Sequence, residues 1–308
     1  HLRYRRADTG LTTTPTHPSN LVINWGSSNA PNTPNVLNRG AAVHIAANKL
    51  STLRTLTQHQ VPRVAWTTDE GMARAWQRDG HKVVARTRLT GTNGDGIVIM
   101  SANSPLSTLA PLYTKYYPTR KEYRVHIAPT FSDVDPVFQR KVRRDEADEA
   151  NNEVRNVANG WAYHTASDEW WRAHGNLQAN LKIVASNAVN ALGLHFGAVD
   201  ILKAGNELLV LEVNTAPNLG SPPTIQFYTD LIRAAEESYR DNPYLPTPPT
   251  HSPTDAPNLP SLPTTAVPRT LTGRIGPGPQ PYLLHLTYRV DDGEYTIINQ
   301  RRENLPAR

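Results

Sequence analysis

Apolar and polar positions along the chain predict an alternation of strands and helices. Two β-prone runs, 196–203 and 207–213, flank the turn signal Gly205-Asn206 and predict a hairpin. Apolar residues at spacings of three and four predict helices over 41–60, 68–78, 167–192 and 224–239. Shorter apolar or aromatic runs predict strands over 81–87, 111–117, 121–128 and 137–144. Residues 145–166 are polar, and we expect loop with frayed helix there.

The predicted hairpin carries acidic side chains at matched positions. A period of two in its second strand places Leu208, Val210, Glu212 and Asn214 on one face and Leu209, Leu211 and Val213 on the other. A loop of odd length, 205–207, would put Asp200 directly opposite Glu212, with Cβ atoms about 5 Å apart. Two carboxylates that close repel each other unless a cation or a proton lies between them. The hairpin therefore predicts a site for a hard cation such as Mg2+.

This metal-site prediction depends on the strand register. A two-residue loop would pair Asp200 with Leu211 and separate the two carboxylates. A surface hairpin with solvated acids is the alternative interpretation of the same residues. Acidic residues interrupt apolar strands only at a cost in free energy, which favours a function for them.

Two further stretches carry candidate chemistry. The segment LTGTNGDGIVIM has Gly91, Gly94 and Gly96 between two predicted strands, where backbone N–H groups can approach an anion closely. An ordinary glycine-rich hairpin turn is the alternative, and the strand–loop–strand order argues against a Rossmann fingerprint or a P-loop. The strand at 121–128 places Glu122, Arg124 and His126 on one face, where they need water, partners or a ligand.

Composition narrows the class of protein. The chain has 308 residues, 38% of them hydrophobic and 19% charged, which suits a soluble globular protein. It has no cysteine, so disulfides, thiolate metal sites and a cysteine nucleophile are excluded. No apolar run reaches the length of a membrane span, and the basic residues 1–10 are not followed by the apolar core of a secretory signal, so we expect a cytoplasmic protein without a membrane partner. The net charge of +5 fits anionic ligands, but nucleic acid is disfavoured because no long basic run occurs.

The motif GAVDIL followed by LEVNTAPN resembles the metal-binding end of the ATP-grasp carboxylate–amine ligases. That family includes D-alanine–D-alanine ligase and the ribosomal-protein-modifying glutamate ligases. The resemblance extends over about 43–240 and rests on five features in family order: a lysine in a helix, a glycine lid, a hinge strand, two strands with Glu and Arg, and the metal hairpin. It implies ATP and Mg2+ as cofactors.

The resemblance also implies roles for individual residues. Mg2+ would be held by Asp200, Glu212 and Asn214. Arg124 would face the reacting carboxylate and phosphate, and Arg140 would point at the γ-phosphate or acyl phosphate, with Lys141 pointing the other way. The implied nucleotide contacts are Lys49, Arg86, the lid residues Gly91, Thr92, Asn93 and Gly94, the hinge residues Lys115, Tyr116 and Tyr117, and Glu122. The family usually has lysine where Arg86 stands, and Lys82 is the alternative for that role.

The implied fold class is α+β, an ATP-grasp fold of two α+β subdomains that enclose the nucleotide. We expect a reduced N-terminal region at 1–40, a subdomain with the glycine lid at 41–112, a subdomain with the metal site at 113–240, a Pro-rich linker at 241–281 and a C-terminal β-hairpin at 282–308. An isolated hairpin is marginally stable, so it should dock on the body, on a neighbouring subunit in a homo-oligomer, or on a partner.

The implied function is that of an ATP-dependent carboxylate–amine ligase. A carboxylate substrate would form an acyl phosphate with release of ADP, and an amine acceptor would then displace phosphate to give an amide. The short N-terminal region would leave the groove open to a peptide or protein end, and compact ligases of this kind resemble those of bacteriophage genomes. Two alternatives are a catalytically inactive nucleotide-binding scaffold and, more weakly, a ligase that acts on nucleic acid.

Overall fold

A computed structural model describes residues 21–91, 96–102, 106–119, 121–143 and 153–241, and the backbone of three later strands at 269–275, 282–291 and 294–304. The chain divides into two compact units, His1–Pro253 and Thr254–Arg308. The predicted lid residues Thr92, Asn93 and Gly94 lie outside the described residues. Within the described ranges, no helix combines the length and the apolar character needed to cross a bilayer.

The first unit contains two antiparallel sheets with helices, as expected for an α+β fold. The smaller sheet has the strand order β3-β6-β4-β5 and the larger one β11-β10-β7-β8-β9. Their bounds are β3 Trp66–Thr67, β4 Val83–Arg86, β5 Ile97–Met100, β6 Leu112–Lys115, β7 Glu122–Ile127, β8 Val137–Arg143, β9 Trp161–Thr165, β10 Gly197–Ala204 and β11 Glu207–Asn214. The helices are α1 Gly40–Ala47, α2 Lys49–Gln58, α3 Glu70–Arg78, α4 Asp168–Ala173, α5 Leu177–Ala191 and α6 Pro222–Asp241.

The main core lies between helix α5 and one face of the larger sheet. Leu181, Ala185 and Ala188 recur at helical spacing and are fully buried in the same cluster as Val125 and Val199 of the sheet. The opposite face of this sheet is therefore the one on which polar and charged side chains can gather.

Two predicted helices are each divided in two. Asn48 leaves the helical conformation at φ −98° and ψ 112°, and its side chain accepts hydrogen bonds from the amides of Leu50 and Ser51, so it caps a new helix. Lys49 thereby becomes the first residue of α2. In the second case Ser167 caps α4, and Gly175 at φ +58° interrupts the chain before α5 begins.

The start of the described chain is tied to the larger sheet. A short parallel pair, β1 Val22–Ile23 and β2 Val36–Leu37, precedes α1. Asn38, in the left-handed region at φ 56°, accepts hydrogen bonds from the amides of His195 and Phe196 through its side chain. Gly26, at φ +81°, lies against Ala216, where a Cβ would come within 2.7 Å of the Ala216 Cβ. This segment thus packs beside the end of the predicted metal hairpin.

The second unit is a three-stranded antiparallel sheet rather than a hairpin alone. Its strands, in the order β12-β13-β14, are Arg269–Ile275, Tyr282–Asp291 and Glu294–Asn304. The pairing of the last two strands matches the hairpin expected around Asp292-Gly293. The strand at 269–275 corrects the expected linker at 241–281, because RTLTGRI at its end is β-prone although the residues before it are rich in proline.

Candidate active site

The predicted pairing of the two carboxylates is present, but the chain achieves it by another route than expected. The hairpin has a two-residue turn, with Ala204 paired to Glu207, which by itself would bring Leu211 opposite Asp200. A β-bulge between Asp200 and Ile201 adds one residue to β11, so Asp200 pairs with Glu212. The expected odd-length loop is therefore wrong, but the expected pairing of Asp200 with Glu212 is confirmed.

The same bulge changes which side chains of β11 share a face. Leu208 and Val210 pack with Val213 against the main core, whereas Leu209 and Leu211 belong to a second apolar cluster on the other side. The expected alternation is thus wrong beyond Val210, because an inserted residue reverses the parity of the strand. Glu212 leaves the core side that Val210 occupies and lies on the polar face.

Asp200 is held by Arg124, its neighbour on β7. The guanidinium donates from Nε to Oδ1 at 2.7 Å and from Nη2 to Oδ2 at 2.8 Å, and the Asp200 side chain is 7% exposed. Burial alone would raise the pKa of Asp200, but the Arg124 guanidinium, with smaller contributions from Lys141 and Tyr163, holds that pKa below its usual value. Asp200 is therefore an ionised carboxylate with both oxygens engaged.

Glu212 lies in a different electrostatic environment. Burial and repulsion from Asp200 raise the pKa of Glu212, although Lys49 and Arg86 attract its charge. Asn214 follows at the end of the strand, and its amide nitrogen is 3.5 Å from Glu212 Oε1. Glu212 thus lies beside the oxygen-bearing side chains of Asp200 and Asn214, and the nearby cations offset its charge only in part.

These residues fit a hard divalent cation. The buried carboxylate of Asp200, the half-buried one of Glu212 and an amide at the end of one hairpin are oxygen ligands of the kind Mg2+ takes, and a cation here would relieve the repulsion that adds to the rise in the Glu212 pKa. The described ranges hold no cluster of three or more His, Cys, Asp or Glu side chains arranged for a metal. The third protein ligand would therefore be the amide oxygen of Asn214, and a metal would have to share Asp200 with Arg124 or displace that guanidinium.

The next strand corrects one predicted catalytic residue. On β8, Arg140 pairs with Tyr123, whose side chain belongs to the main core, and its guanidinium lies 5.2 Å from the ring centroid of Trp170. Arg140 is thus on the opposite face from Asp200. Lys141 lies on the polar face instead, where its Nζ is 2.6 Å from Glu122 Oε2. Residues opposite each other on paired strands share a face, and a buried carboxylate such as Glu122 needs a cation. The register between β7 and β8 would therefore have identified Lys141.

Glu122 is an anchor for two cations. Besides Lys141 it binds Arg155, with Nη2 at 2.8 Å from Glu122 Oε1, and both side chains are less than 10% exposed. The structure therefore places the predicted nucleotide contact Glu122 inside an ion-pair network. Arg155 was missed because it follows a polar stretch without a periodic pattern.

Two basic side chains from outside the larger sheet lie near Glu212: Lys49, the first residue of α2, and Arg86, the last residue of β4. The Lys49 amine donates to the carbonyl of Gly91 at 3.0 Å, so it contacts the start of the glycine-rich segment between β4 and β5. Burial lowers the pKa of Arg86, and attraction to Glu212 opposes that shift. Lys82, the alternative to Arg86, instead forms an exposed ion pair with Glu153. Of these two residues, Arg86 is therefore the one near Glu212.

The predicted hinge joins the two sheets. Tyr117 follows β6, and its hydroxyl accepts a hydrogen bond from the Ala65 amide at 3.1 Å. The amides of Lys115 and Tyr116 donate to the carbonyls of Ala65 and Lys82, both at 3.0 Å. The Lys115 amine lies over the Trp76 ring, 5.5 Å from its centroid. Two of the three hinge amides are thus used within the protein, which limits base recognition through this backbone.

A cavity of about 390 Å³ opens beside Tyr117. Its lining residues are Arg63, Val64, Ala65, Trp66, Tyr117, Glu207 and Leu209. It contains neither of the paired carboxylates and none of the basic side chains around them. We therefore place the candidate site on the polar face of the larger sheet and not in this cavity.

The polar face carries more positive than negative charge. Five basic side chains, here called the basic ring, surround three carboxylates, Glu122, Asp200 and Glu212. The basic ring consists of Lys49, Arg86, Arg124, Lys141 and Arg155. Five positive and three negative charges leave an excess of two, and such an excess on a partly enclosed face favours a polyanionic ligand.

Comparisons with known proteins add a resemblance in chain path. No protein-family model and no curated protein matches the chain. Among solved structures, it is similar to D-alanine–D-alanine ligase from Bacillus anthracis, with 14% identity and a TM-score of 0.47 over 66% of this chain and 71% of that one. It is also similar to the ATP-grasp ligase PsnB complexed with minimal precursor, Mg and ADP, with 19% identity and a TM-score of 0.43 over 65% and 62%.

A third similar structure is N5-carboxyaminoimidazole synthetase from Staphylococcus aureus complexed with ADP. The identity is 16% and the TM-score 0.46, over 65% of this chain and 54% of that one. The class of ligase that the sequence motifs resemble is thus among the solved structures similar to this chain.

Proposed function

We propose that this chain is an ATP-dependent carboxylate–amine ligase that binds MgATP on the polar face of the larger sheet. The observation that carries the proposal is the carboxylate pair Asp200–Glu212 with the basic ring around it. Paired carboxylates of this kind favour a divalent cation, and the surplus of positive charge favours a phosphate chain. The Lys49 amine donates to the Gly91 carbonyl and also attracts the Glu212 carboxylate. Lys49 thus connects the glycine-rich segment to the same site.

Asp200, Glu212 and Asn214 would hold the metal. When bound, Mg2+ supplies positive charge that neutralises the phosphate oxygens and orients them. The protein contributes Arg124 and Lys141, whose fixed charges on neighbouring strands favour the negative charge that spreads over a phosphoryl group during its transfer. Neither residue needs to donate or accept a proton for this role.

The reaction proceeds in two displacements. In the first, a carboxylate oxygen of the substrate bonds to the γ-phosphorus of ATP, the bond to the β-phosphate oxygen breaks, and ADP leaves. In the second, an amine bonds to the carbonyl carbon of the acyl phosphate, the carbon–oxygen bond to phosphate breaks, and the nitrogen loses a proton. The described residues around Asp200 include no serine or cysteine in a nucleophilic arrangement, and this sequence of steps requires none.

The test is ADP release in the presence of ATP, Mg2+ and panels of carboxylates and amines, including peptides. The proposal predicts ADP formation that requires both an acid and an amine and is lost in Glu212→Ala. Glu207→Ala, an exposed carboxylate on the same strand, is the matched control and should keep the activity. ADP release without any acid would indicate an ATPase, and nucleotide binding without ADP release would favour the inactive scaffold.

A further inference from the structure

Tyr163, on the edge strand β9, lies on the polar face beside the cations but has no part in the proposed reaction. It belongs to β9, a strand that the sequence pattern did not predict, and pairs directly with Lys141 on β8. Its ring centroid is 4.1 Å from the Arg124 guanidinium carbon and 5.0 Å from the Lys141 amine. One aromatic ring thus contacts both cations that we assign to the phosphoryl group.

The ring counteracts a repulsion between these cations. Arg124 and Lys141 carry the same charge on neighbouring strands and repel each other, although their ion pairs with Asp200 and Glu122 offset part of that repulsion. The negative π-face of a tyrosine attracts a cation, and more strongly when the contact is desolvated. Contact with one ring therefore adds to these ion pairs in holding both side chains on the polar face before a ligand binds.

The hydroxyl group of Tyr163 provides the second observation. Its oxygen is buried and makes no hydrogen bond of normal geometry within the described part of the chain, but it lies close enough to Asp200 to help lower the pKa of that carboxyl. A tyrosine hydroxyl is un-ionised near pH 7 and can donate one hydrogen bond. Buried polar atoms are seldom left without a partner of good geometry, and Arg124 already engages both oxygens of Asp200, so a ligand oxygen on this face would be a better acceptor for the hydroxyl.

We propose that Tyr163 is a binding and positioning residue for the transferred phosphoryl group. Its ring aligns Arg124 and Lys141, and its hydroxyl donates a hydrogen bond to a phosphoryl oxygen that these two cations also contact. The inference rests on the proposed function, because it requires a nucleotide on this face. A role in packing alone would need the ring and not the hydroxyl, and this difference makes the proposal testable.

The test compares two nucleotides with three variants by titration calorimetry in Mg2+. The probes are ADP and the β,γ-imido analogue of ATP, which differ by the terminal phosphoryl group. Tyr163→Phe keeps the ring and removes the hydroxyl, whereas Tyr163→Leu removes both. Tyr123→Phe makes the same chemical change on the core face of the same sheet and is the matched control.

The expected result is a selective loss. Tyr163→Phe should bind the ATP analogue at least about tenfold more weakly than the wild type, the worth of one hydrogen bond to a charged group, and should bind ADP unchanged. Tyr163→Leu should lose more affinity for the analogue, and Tyr123→Phe none. If Tyr163→Leu fails to fold, Tyr163→Phe decides alone.

Two outcomes would overturn the inference. If Tyr163→Phe weakens the binding of both nucleotides equally, Tyr163 has only a structural role. If the variant binds the ATP analogue as tightly as the wild type, the hydroxyl does not contact the phosphoryl group. Failure of the wild type to bind either nucleotide would instead refute the proposed function itself. The two failures are therefore distinguishable in one experiment.

Discussion

Replacing Arg124 by glutamine tests the electrostatics of the candidate site most severely. The Arg124 and Asp200 side chains are 20% and 7% exposed and form a bidentate pair. Removing one partner of a buried ion pair leaves an uncompensated charge and typically costs about 3–5 kcal/mol. Lys141 also attracts Asp200, so we expect the lower end of that range, about 3 kcal/mol of unfolding free energy.

The assay is urea unfolding followed by tryptophan fluorescence. Asp200→Asn combined with Arg124→Gln should cost less than the sum of the single changes, because neither charge is then left alone. Millimolar Mg2+ should restore part of the stability of Arg124→Gln, since a metal that binds the folded state takes over the position of the guanidinium. Arg74→Gln breaks an exposed pair with Glu70 and should change stability by less than about 1 kcal/mol.

A loss below about 1 kcal/mol in Arg124→Gln would refute this reasoning. It would mean that water reaches Asp200 and that the pair resembles a surface ion pair. Stability unaffected by Mg2+ in every variant would mean that the carboxylate pair does not bind the metal without a nucleotide.

Three further predictions address the face of the sheet, a buried histidine and a close backbone contact. Lys141→Met should weaken MgATP binding about tenfold or more, whereas Arg140→Met, on the opposite face, should leave it unchanged. Burial lowers the pKa of His126 to about 4, so the unfolded chain binds more protons than the folded chain between pH 4 and 6.5. The free energy of unfolding in urea should therefore fall by up to about 3 kcal/mol as the pH drops through that window. Gly40→Ala would press a methyl group into two carbonyl oxygens of residues 28–30 and should cost about 3 kcal/mol of stability in urea.

Each of these three has an outcome that contradicts it. Equal effects of Lys141→Met and Arg140→Met would mean that the face assignment is wrong. A pH dependence that persists unchanged in His126→Gln would assign the titration to another group. Gly40→Ala should be compared with Gly220→Ala, whose nearest neighbour is a side chain at 3.4 Å, and equal stability of the two would remove the steric argument.

Local sequence pattern was sufficient to predict those elements whose structure depends on a single strand or helix face. The strands around Asp200 and Glu212, the stripe of α5 and the cap at Ser167 follow from alternation, helical spacing and capping preference. The α+β character of the body followed in the same way. These features depend on residues a few positions apart.

The errors arose where residues far apart in sequence decide the structure. Alternation on β8 gives Arg140 and Lys141 opposite directions, but only the register with Glu122 on β7 fixes which one faces the site. The bulge in β11 likewise cannot be predicted from the alternation of apolar and polar residues, although it produces the pairing of Asp200 with Glu212. Tyr163 was missed because its short strand follows a polar segment and is held by pairing with β8.

The most direct measurement of the central claim is MgATP binding by calorimetry in the wild type and in Glu212→Ala. The account predicts binding that depends on Mg2+ and is lost in the variant, because Glu212 would be both a metal ligand and the carboxylate whose burial is least compensated. Binding that the variant retains would place the nucleotide elsewhere on the molecule. Absence of binding in the wild type would contradict the account, and the function would then have to be sought outside this face.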